Sequence, residues 1–370
     1  MKVVIASGTY PPELGGMATF VENFARRLHA QGIEVSVVAY GKEDSSVSQP
    51  FLVRTVRRGR FVFMRYLRYL LVLFAHAKKS DLVYAQDLVS SGLPAACVSL
   101  LVRKQLVIRL GGDFLWEKRV EQGKTQAPLR IYYEQSKDAI EQFYLMLYRF
   151  VLSRARLIIF NTEFQAGLYR RYFKIAADKI SVVNNPFVTV SIPRSEVKKR
   201  IVYAGRFIQL KNIELLLKAY AQLSPQARLV LIGEGPRHDQ LAASASALGI
   251  ADRIDILPPM NREALLRYLA ASQLAVVPSL TELNPNLVLE SLSVGTPVLL
   301  SSENGLPPTV RQHVQEFDPT SISSLREALR EALDPIKDTR RAEDWRHIEY
   351  AFTWDDLTQR HLELFKQLVK

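Results

Sequence analysis

The sequence predicts an α/β protein made of two doubly wound parallel sheets. Short apolar segments, flanked by glycines and polar residues, alternate with stretches in which apolar residues recur at helical spacing. This alternation stops in a polar, proline-containing stretch at residues 186–199 and then starts again. A chain of 370 residues is also too long for one hydrophobic core. These three observations favour two Rossmann-like domains of similar size, with a cleft between them.

The first domain is predicted to open with a strand–helix–strand unit. Lys2–Ser7 is an apolar strand, and apolar residues between Met17 and Leu28 fall on one face of a helix. Gly32 is placed to end that helix, and Ile33–Tyr40 then forms the second strand. The further strands expected in this half are Leu82–Ala85, Leu106–Leu110, Leu157–Phe160 and Ile180–Val183.

The second domain repeats the pattern after residue 199. Arg200–Ala204 predicts a strand, Ile213–Leu223 a helix, and Asn286–Val294 a second helix. In the last segment, Trp354–Val369, apolar residues recur at helical spacing, which predicts a further helix. The further strands expected here are Arg228–Ile232, Ile254–Leu257, Leu274–Val277 and Pro297–Leu300.

Charge and composition restrict the partners and the compartment. The chain has 49 Lys and Arg against 37 Asp and Glu, a net charge of +12, which favours nucleic acid, an anionic membrane or a phosphorylated substrate. The single cysteine, Cys97, excludes an internal disulfide framework and fits a reducing compartment. The longest apolar run, around Tyr69–Ala75, is far shorter than the ~20 residues that span a bilayer. We therefore expect a cytoplasmic protein.

Two carboxylates, Glu282 and Glu290, lie in a loop that becomes a helix directly after an apolar strand. Doubly wound sheets bind ligands at the carboxyl ends of their strands, and a helix N-terminus attracts phosphate. Glu290, about one turn into the helix, is placed to accept hydrogen bonds from ribose hydroxyls, while Glu282 could face a sugar. The alternative is that both are ordinary surface carboxylates.

A basic group follows another strand of the second half. Gly205 would let the backbone approach a ligand closely, and Arg206 with Lys211 could clamp a diphosphate without a metal. The alternative is surface charge at the start of a helix.

Two strand ends of the first half carry further candidates. Gly16 opens the first helix, and Asp113 follows the strand at Leu106–Leu110, where it could be a catalytic group or cap the next turn. The six histidines are scattered without the spacing of metal ligands. We therefore expect neither a metal nor a cofactor.

In this order the motifs resemble those of the family 4 retaining glycosyltransferases, which have the GT-B fold of two Rossmann-like domains facing a cleft. The shared motifs are Pro-Pro-x-x-Gly-Gly, Gly-Arg with a later Lys, Gly-x-Gly-Pro, Glu-x7-Glu, Gly-Thr-Pro-Val and Gly-Leu-Pro. The resemblance covers essentially the whole chain and is strongest over residues 201–310. It implies that the last helix crosses back to the first domain, so we predict one domain at residues 1–187 plus 354–370 and another at 198–350.

The resemblance implies a nucleotide-diphospho-sugar donor, a UDP- or GDP-sugar, and a reaction without metal. Arg206 and Lys211 would bind the diphosphate and assist catalysis. Glu290 would bind the ribose, and Glu282 would contact the sugar near its anomeric carbon. Retention would follow from attack of the acceptor on the same face that the phosphate leaves. Further donor contacts would come from Gly16, Gly205 and the backbone of Asn286, Leu287 and Val288.

The chain departs from the family pattern at two places. Many members have a histidine after the strand assigned to Leu106–Leu110, whereas this chain has no histidine between positions 77 and 237. A subset of similar sequences has Gly-Asp-x-x-Trp-Glu there, which matches residues 112–117, and Asp113 is our candidate for the catalytic place. The residues after Glu282 are Leu-Asn-Pro-Asn instead of the usual glycines, so contacts to the sugar are expected to differ.

The first domain of such enzymes binds a saccharide acceptor. Residues 54–79 alternate arginines with Phe and Tyr side chains and end in Lys78-Lys79, a pattern typical of an interfacial helix. We hypothesise a lipid-linked acceptor, peripheral contact with the inner face of the plasma membrane, and a role in glycan or cell-envelope polysaccharide synthesis. The alternative is a core helix with a solvated basic face.

Three other functions compete with this interpretation. The chain could be another GT-B enzyme, such as a nucleotide-sugar epimerase or a synthase that uses a sugar phosphate. It could be a non-catalytic nucleic-acid-binding protein, but it has no recognition motif, so we expect no nucleic acid partner. A degenerate carbohydrate-binding relative is disfavoured because Arg206, Lys211, Glu282 and Glu290 are all present.

Overall fold

The computed structural model describes residues 1–13, 15–41, 49–188, 192, 196–223, 226–334 and 352–369. They form two compact units, each an α/β layer structure around one parallel sheet. Part of the expected linker at 186–199, and the end of the predicted second domain at 335–350, lie outside the described residues. The first unit comprises Met1–Leu115, Ser136–Pro186 and Phe352–Lys370, and the second comprises Trp116–Gln135 and Phe187–Ala351.

The first unit contains a parallel sheet that has seven strands within the described residues, in the order β3-β2-β1-β4-β5-β6-β7. Strand β1, inside this sheet, pairs through Ile5 with Val37 of β2 on one side and with Tyr84 of β4 on the other. The strands predicted for this half are confirmed to within a residue at their ends. The strands are β1 (Lys2–Ser7), β2 (Glu34–Tyr40), β3 (Leu52–Val56), β4 (Leu82–Ala85), β5 (Gln105–Leu110), β6 (Leu157–Phe160) and β7 (Ile180–Val182).

Helices cover both faces of this sheet. The last helix of the chain lies against the core of the first unit, where Leu357, Leu362 and Phe365 are buried together with residues of β1 and α1. The predicted return of this helix to the first domain is therefore confirmed. In chain order up to residue 173 the helices are α1 (Gly16–Ala30), α2 (Val62–Ala77), α3 (Gly92–Val102), α4 (Phe114–Glu121), α5 (Leu129–Glu134), α6 (Ala139–Arg154) and α7 (Glu163–Phe173).

The second unit contains a parallel sheet of six strands within the described residues, in the order β10-β9-β8-β11-β12-β13. The predicted strands of this half are confirmed to within two residues at their ends. They are β8 (Lys198–Ala204), β9 (Arg228–Ile232), β10 (Ile254–Leu257), β11 (Ser272–Val277), β12 (Val298–Ser301) and β13 (Gln315–Phe317). Within the described residues, the helices of this unit that follow residue 200 are α8 (Ile213–Ala221), α9 (His238–Ala247), α10 (Arg262–Ala270), α11 (Asn286–Ser293), α12 (Pro308–Arg311) and α13 (Ile322–Ala332). The last helix, α14 (Trp354–Leu368), belongs to the first unit.

The strand order of the second sheet places a crevice beside β8. From β8 the chain moves outward through β9 and β10, and it then returns to pair β11 with the other side of β8. The loops that follow β8 and β11 therefore leave the sheet toward opposite faces. Open α/β sheets bind ligands at such a switch point, outside the carboxyl ends of the strands.

Candidate active site

A cavity of about 470 Å³ lies at this switch point, within the second unit. Its walls come from the loops after β8, β9 and β11 and from the first turns of α11. The structure thus brings together residues that the sequence analysis selected at separate strand ends. The predicted residues that line the cavity are Gly205, Arg206, Lys211, Glu282, Asn286, Leu287 and Glu290.

Lys211 and Glu282 form an ion pair in the wall of the cavity. Lys211 Nζ lies 2.5 Å from Glu282 Oε2, and Ser279 Oγ donates a hydrogen bond of 2.7 Å to the same oxygen. The side chain of Glu282 is only 8% exposed and that of Lys211 is 24% exposed. Burial makes this pair stronger than a surface pair, because water screens it less.

The backbone of Glu282 is held on both sides. Its N–H donates to the carbonyl of Glu303 at 2.8 Å, and its own carbonyl accepts from Gly305 N–H at 2.9 Å. Glu282 and Asn304 therefore form a one-residue parallel bridge. This bridge holds the carboxylate in place even though it lies in a loop.

The guanidinium of Arg206 is a cation that is not paired with a carboxylate of the described residues. Its side chain is exposed and, across the ranges that the structure describes, it makes no ion pair. Its carbonyl accepts a hydrogen bond of 3.0 Å from the hydroxyl of Tyr203. Burial, together with the negative charge of Glu282, raises the pKa of Tyr203, so this phenol stays protonated and remains a donor. The guanidinium is thus available to an anion in the cavity.

The N-terminus of α11 supplies a second positive feature. Pro285 precedes the helix and has no side chain able to accept a hydrogen bond, so the first-turn N–H groups of Leu287 and Val288 have no cap from it. The side chain of Val288 is buried in the core, so only its backbone could reach a ligand. A helix end of this kind attracts phosphate oxygens.

Glu290 lies about one turn further along α11, in the same wall. Its side chain is 16% exposed, and its Oε1 lies 3.4 Å from Arg262 Nε. Burial raises the pKa of Glu290, while the nearby Arg262 opposes that rise. Arg262 also donates to the carbonyl of Val188 at 2.6 Å, which fixes the position of the guanidinium.

The loops after β8 and β9 meet backbone to backbone beneath these side chains. Gly205 N–H donates to the carbonyl of Ile232 at 2.9 Å. A Cβ on Gly233, whose φ is +153°, would lie 1.9 Å from the carbonyl oxygen of Gly205. Only glycine fits at this position, and its absence of a side chain lets the two loops form one floor.

Gly16 and Asp113, the other two predicted site residues, belong to the first unit. Gly16 is the first residue of α1, and a Cβ added to it would meet nothing within 4 Å. Asp113 is fully buried, and its Oδ2 accepts a hydrogen bond of 2.7 Å from the hydroxyl of Tyr169. The donor contact at Gly16 and the catalytic role of Asp113 stay predictions.

Three residues of the cavity region were missed by the sequence analysis. Ser279 comes two residues after β11, a position at which strand-end reasoning could have found it. Tyr203 lies inside β8 and carries no such signal. Arg262 begins α10 and meets Glu290 only because α10 packs against α11 in the folded unit.

Comparison with known proteins identifies the family of the chain. The model described as Glycosyltransferase Family 4 matches residues 14–189, and the model described as Glycosyl transferases group 1 matches residues 188–347. The D-inositol 3-phosphate glycosyltransferase of Mycobacterium sp. (strain JLS) is 33% identical over 183 residues, which are 44% of this chain and 41% of that protein. The uncharacterized glycosyltransferase YqgM of Bacillus subtilis (strain 168) is 31% identical over 176 residues, 46% of this chain and 48% of that one. The matched segments thus span less than half the length of these curated relatives.

Solved structures share the fold over nearly the whole chain. Sucrose-phosphate synthase from Thermosynechococcus elongatus matches with a TM-score of 0.76 and 20% identity, covering 99% of this chain and 98% of that one. HepE from Anabaena, solved in complex with UDP, matches with a TM-score of 0.73 and 17% identity over 100% of both chains. Fold and sequence together define a glycosyltransferase of the GT-B class. The chain belongs to glycosyltransferase family 4: the Family 4 model and the group 1 model together match it from residue 14 to residue 347.

Proposed function

We propose that this glycosyltransferase is a retaining, metal-independent enzyme that takes a hexosyl or N-acetylhexosaminyl group from a UDP- or GDP-sugar. The acceptor is a saccharide in glycan or cell-envelope polysaccharide synthesis. One observation carries the proposal: a single cavity gathers the cations Arg206 and Lys211, the carboxylates Glu282 and Glu290, and the N-terminus of α11. Those are the groups that a nucleotide-diphospho-sugar requires.

The positive groups would stabilise the leaving diphosphate. When the bond between the anomeric carbon and the phosphate oxygen breaks, its electron pair stays on that oxygen and negative charge builds up there. Arg206, Lys211 and the first-turn N–H groups of α11 would stabilise this charge without a metal ion. The acceptor hydroxyl forms the new bond on the face that the phosphate leaves, and its proton passes to a phosphate oxygen.

The two carboxylates would orient the donor. Glu290 would accept hydrogen bonds from the ribose hydroxyls, for which its ionised form is the better acceptor. Glu282, held by Lys211 and Ser279, would contact the sugar near the anomeric carbon. A carboxylate fixed in this way needs little reorganisation during the reaction.

The relatives support the donor class. Structures of HepE from Anabaena contain UDP, UDP with glucose, and UDP-glucose. The mycobacterial relatives are named for a transfer that involves D-inositol 3-phosphate. A nucleotide-sugar donor is therefore the consistent choice for this chain.

We also propose that the acceptor is lipid-linked and that the first unit touches an anionic membrane. Phe61 and Phe63, at the start of α2, are 76% and 77% exposed, and Phe143 on α6 is 54% exposed. Helix α3 packs against both α2 and α6. We call the exposed apolar side chains of α2 and α6 the apolar face; they are Val62, Phe63, Met64, Leu67, Leu71, Ile140, Phe143, Met146 and Phe150.

The same two helices and their ends carry exposed basic side chains. Arg60 precedes α2, Arg68 lies within it and Lys78 directly follows it, while Arg149 and Arg154 lie on α6. Apolar groups flanked by cations favour the headgroup region of an anionic bilayer. None of the helices in the described part of the chain combines the length and apolar character needed to cross a membrane. We propose a peripheral contact through the apolar face and these basic side chains.

Isothermal titration calorimetry and thermal shift with UDP, GDP and ADP and the corresponding nucleotide sugars, all with EDTA present, test the donor site. We expect selective binding of one nucleotide in EDTA. Binding of none of them, together with salt-sensitive binding to DNA, would sink the proposal and favour a nucleic-acid-binding protein of the same fold.

A further inference from the structure

The segment Trp116–Gln135 belongs to the second unit, although the chain on either side of it belongs to the first. The domain predicted from the sequence at residues 1–187 includes this segment, so the boundary of the first unit differs from the prediction here. The indole of Trp116 is buried, and its Nε1 donates to the carbonyl of Ala127 at 2.8 Å, which ties the beginning of the segment to its middle. We call this segment the brace.

The end of α4 in the brace holds the turn that carries Lys211. Glu121 accepts hydrogen bonds from the backbone N–H groups of Gln209 at 3.2 Å and Leu210 at 3.0 Å. These two residues begin the 3-10 turn Gln209–Lys211, and Ile208 before it has no side chain that could cap it. A carboxylate that accepts from two N–H groups at the start of a turn is a strong, charge-assisted cap.

The α5 end of the brace holds the loop that carries Glu282. Leu129 N–H donates to Thr281 Oγ1 at 2.8 Å, directly next to Glu282 in sequence. Arg130 donates through Nε and Nη2 to Glu303 Oε1 at 3.1 and 2.6 Å. Glu303 is the residue whose carbonyl accepts from Glu282 N–H.

The two ends of the brace thus act on the two members of one ion pair. The Lys211 turn and the Glu282 loop are also joined directly, since Leu280 N–H donates to the carbonyl of Leu210 at 3.0 Å. The Lys211 ammonium would interact both with Glu282 and with an incoming diphosphate. A small shift of its turn would strengthen one of these interactions and weaken the other. A displacement on the order of 1 Å at a catalytic group can cost about 100-fold in rate.

We propose that Glu121 and Arg130 are positioning residues of the donor site. Glu121 sets the position of Lys211, and Arg130, through Glu303, sets that of Glu282. This inference rests on the proposed function, because it assigns the brace to the site that binds the nucleotide diphosphate.

The test measures the affinity for UDP, GDP and ADP by calorimetry in the full-length protein. We expect Glu121→Ala to weaken binding of the preferred nucleotide about tenfold, and Glu121→Gln, which keeps one acceptor oxygen, about threefold. The matched control is Glu327→Gln, an exposed carboxylate of α13 whose partner is Arg330; its affinity should equal that of the wild type.

A double-mutant cycle separates positioning from general destabilisation. If Glu121 acts through Lys211, Glu121→Ala should weaken binding less than twofold when Lys211→Met is already present. Two results would overturn the inference. One is a loss of nucleotide affinity from Glu121→Ala that is just as large in the Lys211→Met background, and the other is a Glu121→Ala protein that binds as tightly as the wild type. If Glu121→Ala does not fold, as judged by thermal unfolding, the same cycle is read with Glu121→Gln.

Substitution of Arg130 gives a second, independent test of the inference. Arg130→Met should weaken binding severalfold in the wild-type background and have no further effect when Glu282→Gln is present. The matched control is Arg330→Met on α13. Failure of the wild type to bind any of the three nucleotides would overturn the proposed function itself, which distinguishes that outcome from failure of the brace alone.

Discussion

Lys211 and Glu282, which are 71 positions apart in the sequence, meet at 2.5 Å in the wall of the candidate donor site. One residue ends a 3-10 turn after β8 and the other lies in the loop after β11. Because β8 and β11 are neighbours in the sheet, their carboxyl ends bring the two side chains together. The anionic carboxylate thus holds the ammonium in the wall of the cavity where we propose that the diphosphate binds.

Removal of the Lys211 ammonium should abolish most of the activity. Lys211→Ala takes away one of the two cations that we propose stabilise the leaving phosphate, and loss of a single such group costs about 100- to 1,000-fold in kcat. The measurement is the initial rate with the nucleotide sugar that calorimetry selects. Lys218→Ala, which removes an exposed lysine from α8, is the control and should retain the wild-type rate. A Lys211→Ala enzyme as fast as the wild type would contradict the assigned role.

Nucleotide binding should weaken in acid because of Glu290. Burial raises the pKa of Glu290 above its ordinary value, so the folded protein protonates this carboxyl at a higher pH than an unfolded chain does. The ribose hydroxyls donate best to the ionised form, so affinity falls as the pH drops through that raised pKa. The effect of the raised pKa on folding has the opposite direction to its effect on nucleotide binding. The folded protein binds this proton more tightly than the unfolded chain does, so the contribution to the free energy of unfolding is present at low pH and is lost as the pH rises.

Calorimetry with the preferred nucleotide from pH 8 down to pH 5 measures this effect. Glu290→Gln should bind more weakly at neutral pH and show a flatter profile, and the titration of the phosphate itself is common to both proteins. Glu263→Gln removes an exposed carboxylate paired with Arg267 and serves as the control. Identical pH profiles for the wild type and Glu290→Gln would exclude Glu290 as the ribose acceptor.

Anionic vesicles should bind the protein through the apolar face. Replacing Phe63 and Phe143 with Ser removes two exposed aromatic rings, each worth about 1.5 kcal/mol or more when buried, so binding should fall at least tenfold. Flotation with vesicles of anionic and of neutral lipid, at low and high salt, measures the difference. Leu248→Ser removes a partly exposed leucine from the second unit and should have no effect. Absence of wild-type flotation on anionic vesicles at low salt would exclude the membrane contact.

The floor of the donor site should not tolerate a side chain at Gly233. Gly233→Ala places a Cβ 1.9 Å from the oxygen of Gly205 in a backbone conformation with φ of +153°, so the β8 and β9 loops must separate. We expect a loss of about 3 kcal/mol of unfolding free energy and strongly weakened nucleotide binding. Gly249→Ala is the control, because its φ is +68° but a Cβ there meets nothing within 4 Å. If the two variants lose the same unfolding free energy and the same nucleotide affinity, the positive φ alone explains the loss. The close approach of the β8 and β9 loops would then have no part in it.

Most of the fold, and most of the predicted residues that line the cavity, could be found from the sequence because both depend on local pattern. Buried strands such as Leu157–Phe160 are continuous apolar runs, and Arg206 and Glu282 come shortly after such runs. Strand β3 was missed because its side chains alternate between exposed and half-buried positions, and β13 because it has three residues of which two are polar. These edge strands carry too little apolar signal to be seen.

The remaining features depend on contacts that local pattern does not encode. Arg130 and Glu303 are 173 positions apart, and each looks like an ordinary surface charge in the sequence. The same holds for Glu121 and the turn at Gln209, which are 88 positions apart. The Trp-Glu pair at residues 116–117 resembles a family motif, but nothing in the local sequence indicates that the segment after it joins the second unit.

The contact between Tyr84 and His361 should make the first unit sensitive to acid. The Tyr84 hydroxyl lies 3.1 Å from His361 Nε2, and His361 Nδ1 lies 2.8 Å from the carbonyl of Leu357. Because a carbonyl only accepts, Nδ1 carries the proton and Nε2 accepts from the tyrosine. Burial, with the nearby positive charge of Arg109, lowers the pKa of His361 from 6.5 to about 3.

The sign of the effect follows from proton uptake on unfolding. Below pH 6.5 the unfolded chain protonates this histidine while the folded protein does not, so stability is lost as the pH falls from 6.5 toward 3. At pH 5 the loss from this one group is about 2 kcal/mol. Urea unfolding at pH 7.5, 6 and 5 should therefore show a smaller loss in acid for the variant Tyr84→Phe with His361→Leu, which removes both hydrogen-bonding partners together. His29→Leu, which changes a histidine on α1 outside this contact, should lose stability in acid as the wild type does; equal losses in all three proteins would mean that the α14 histidine does not control acid unfolding.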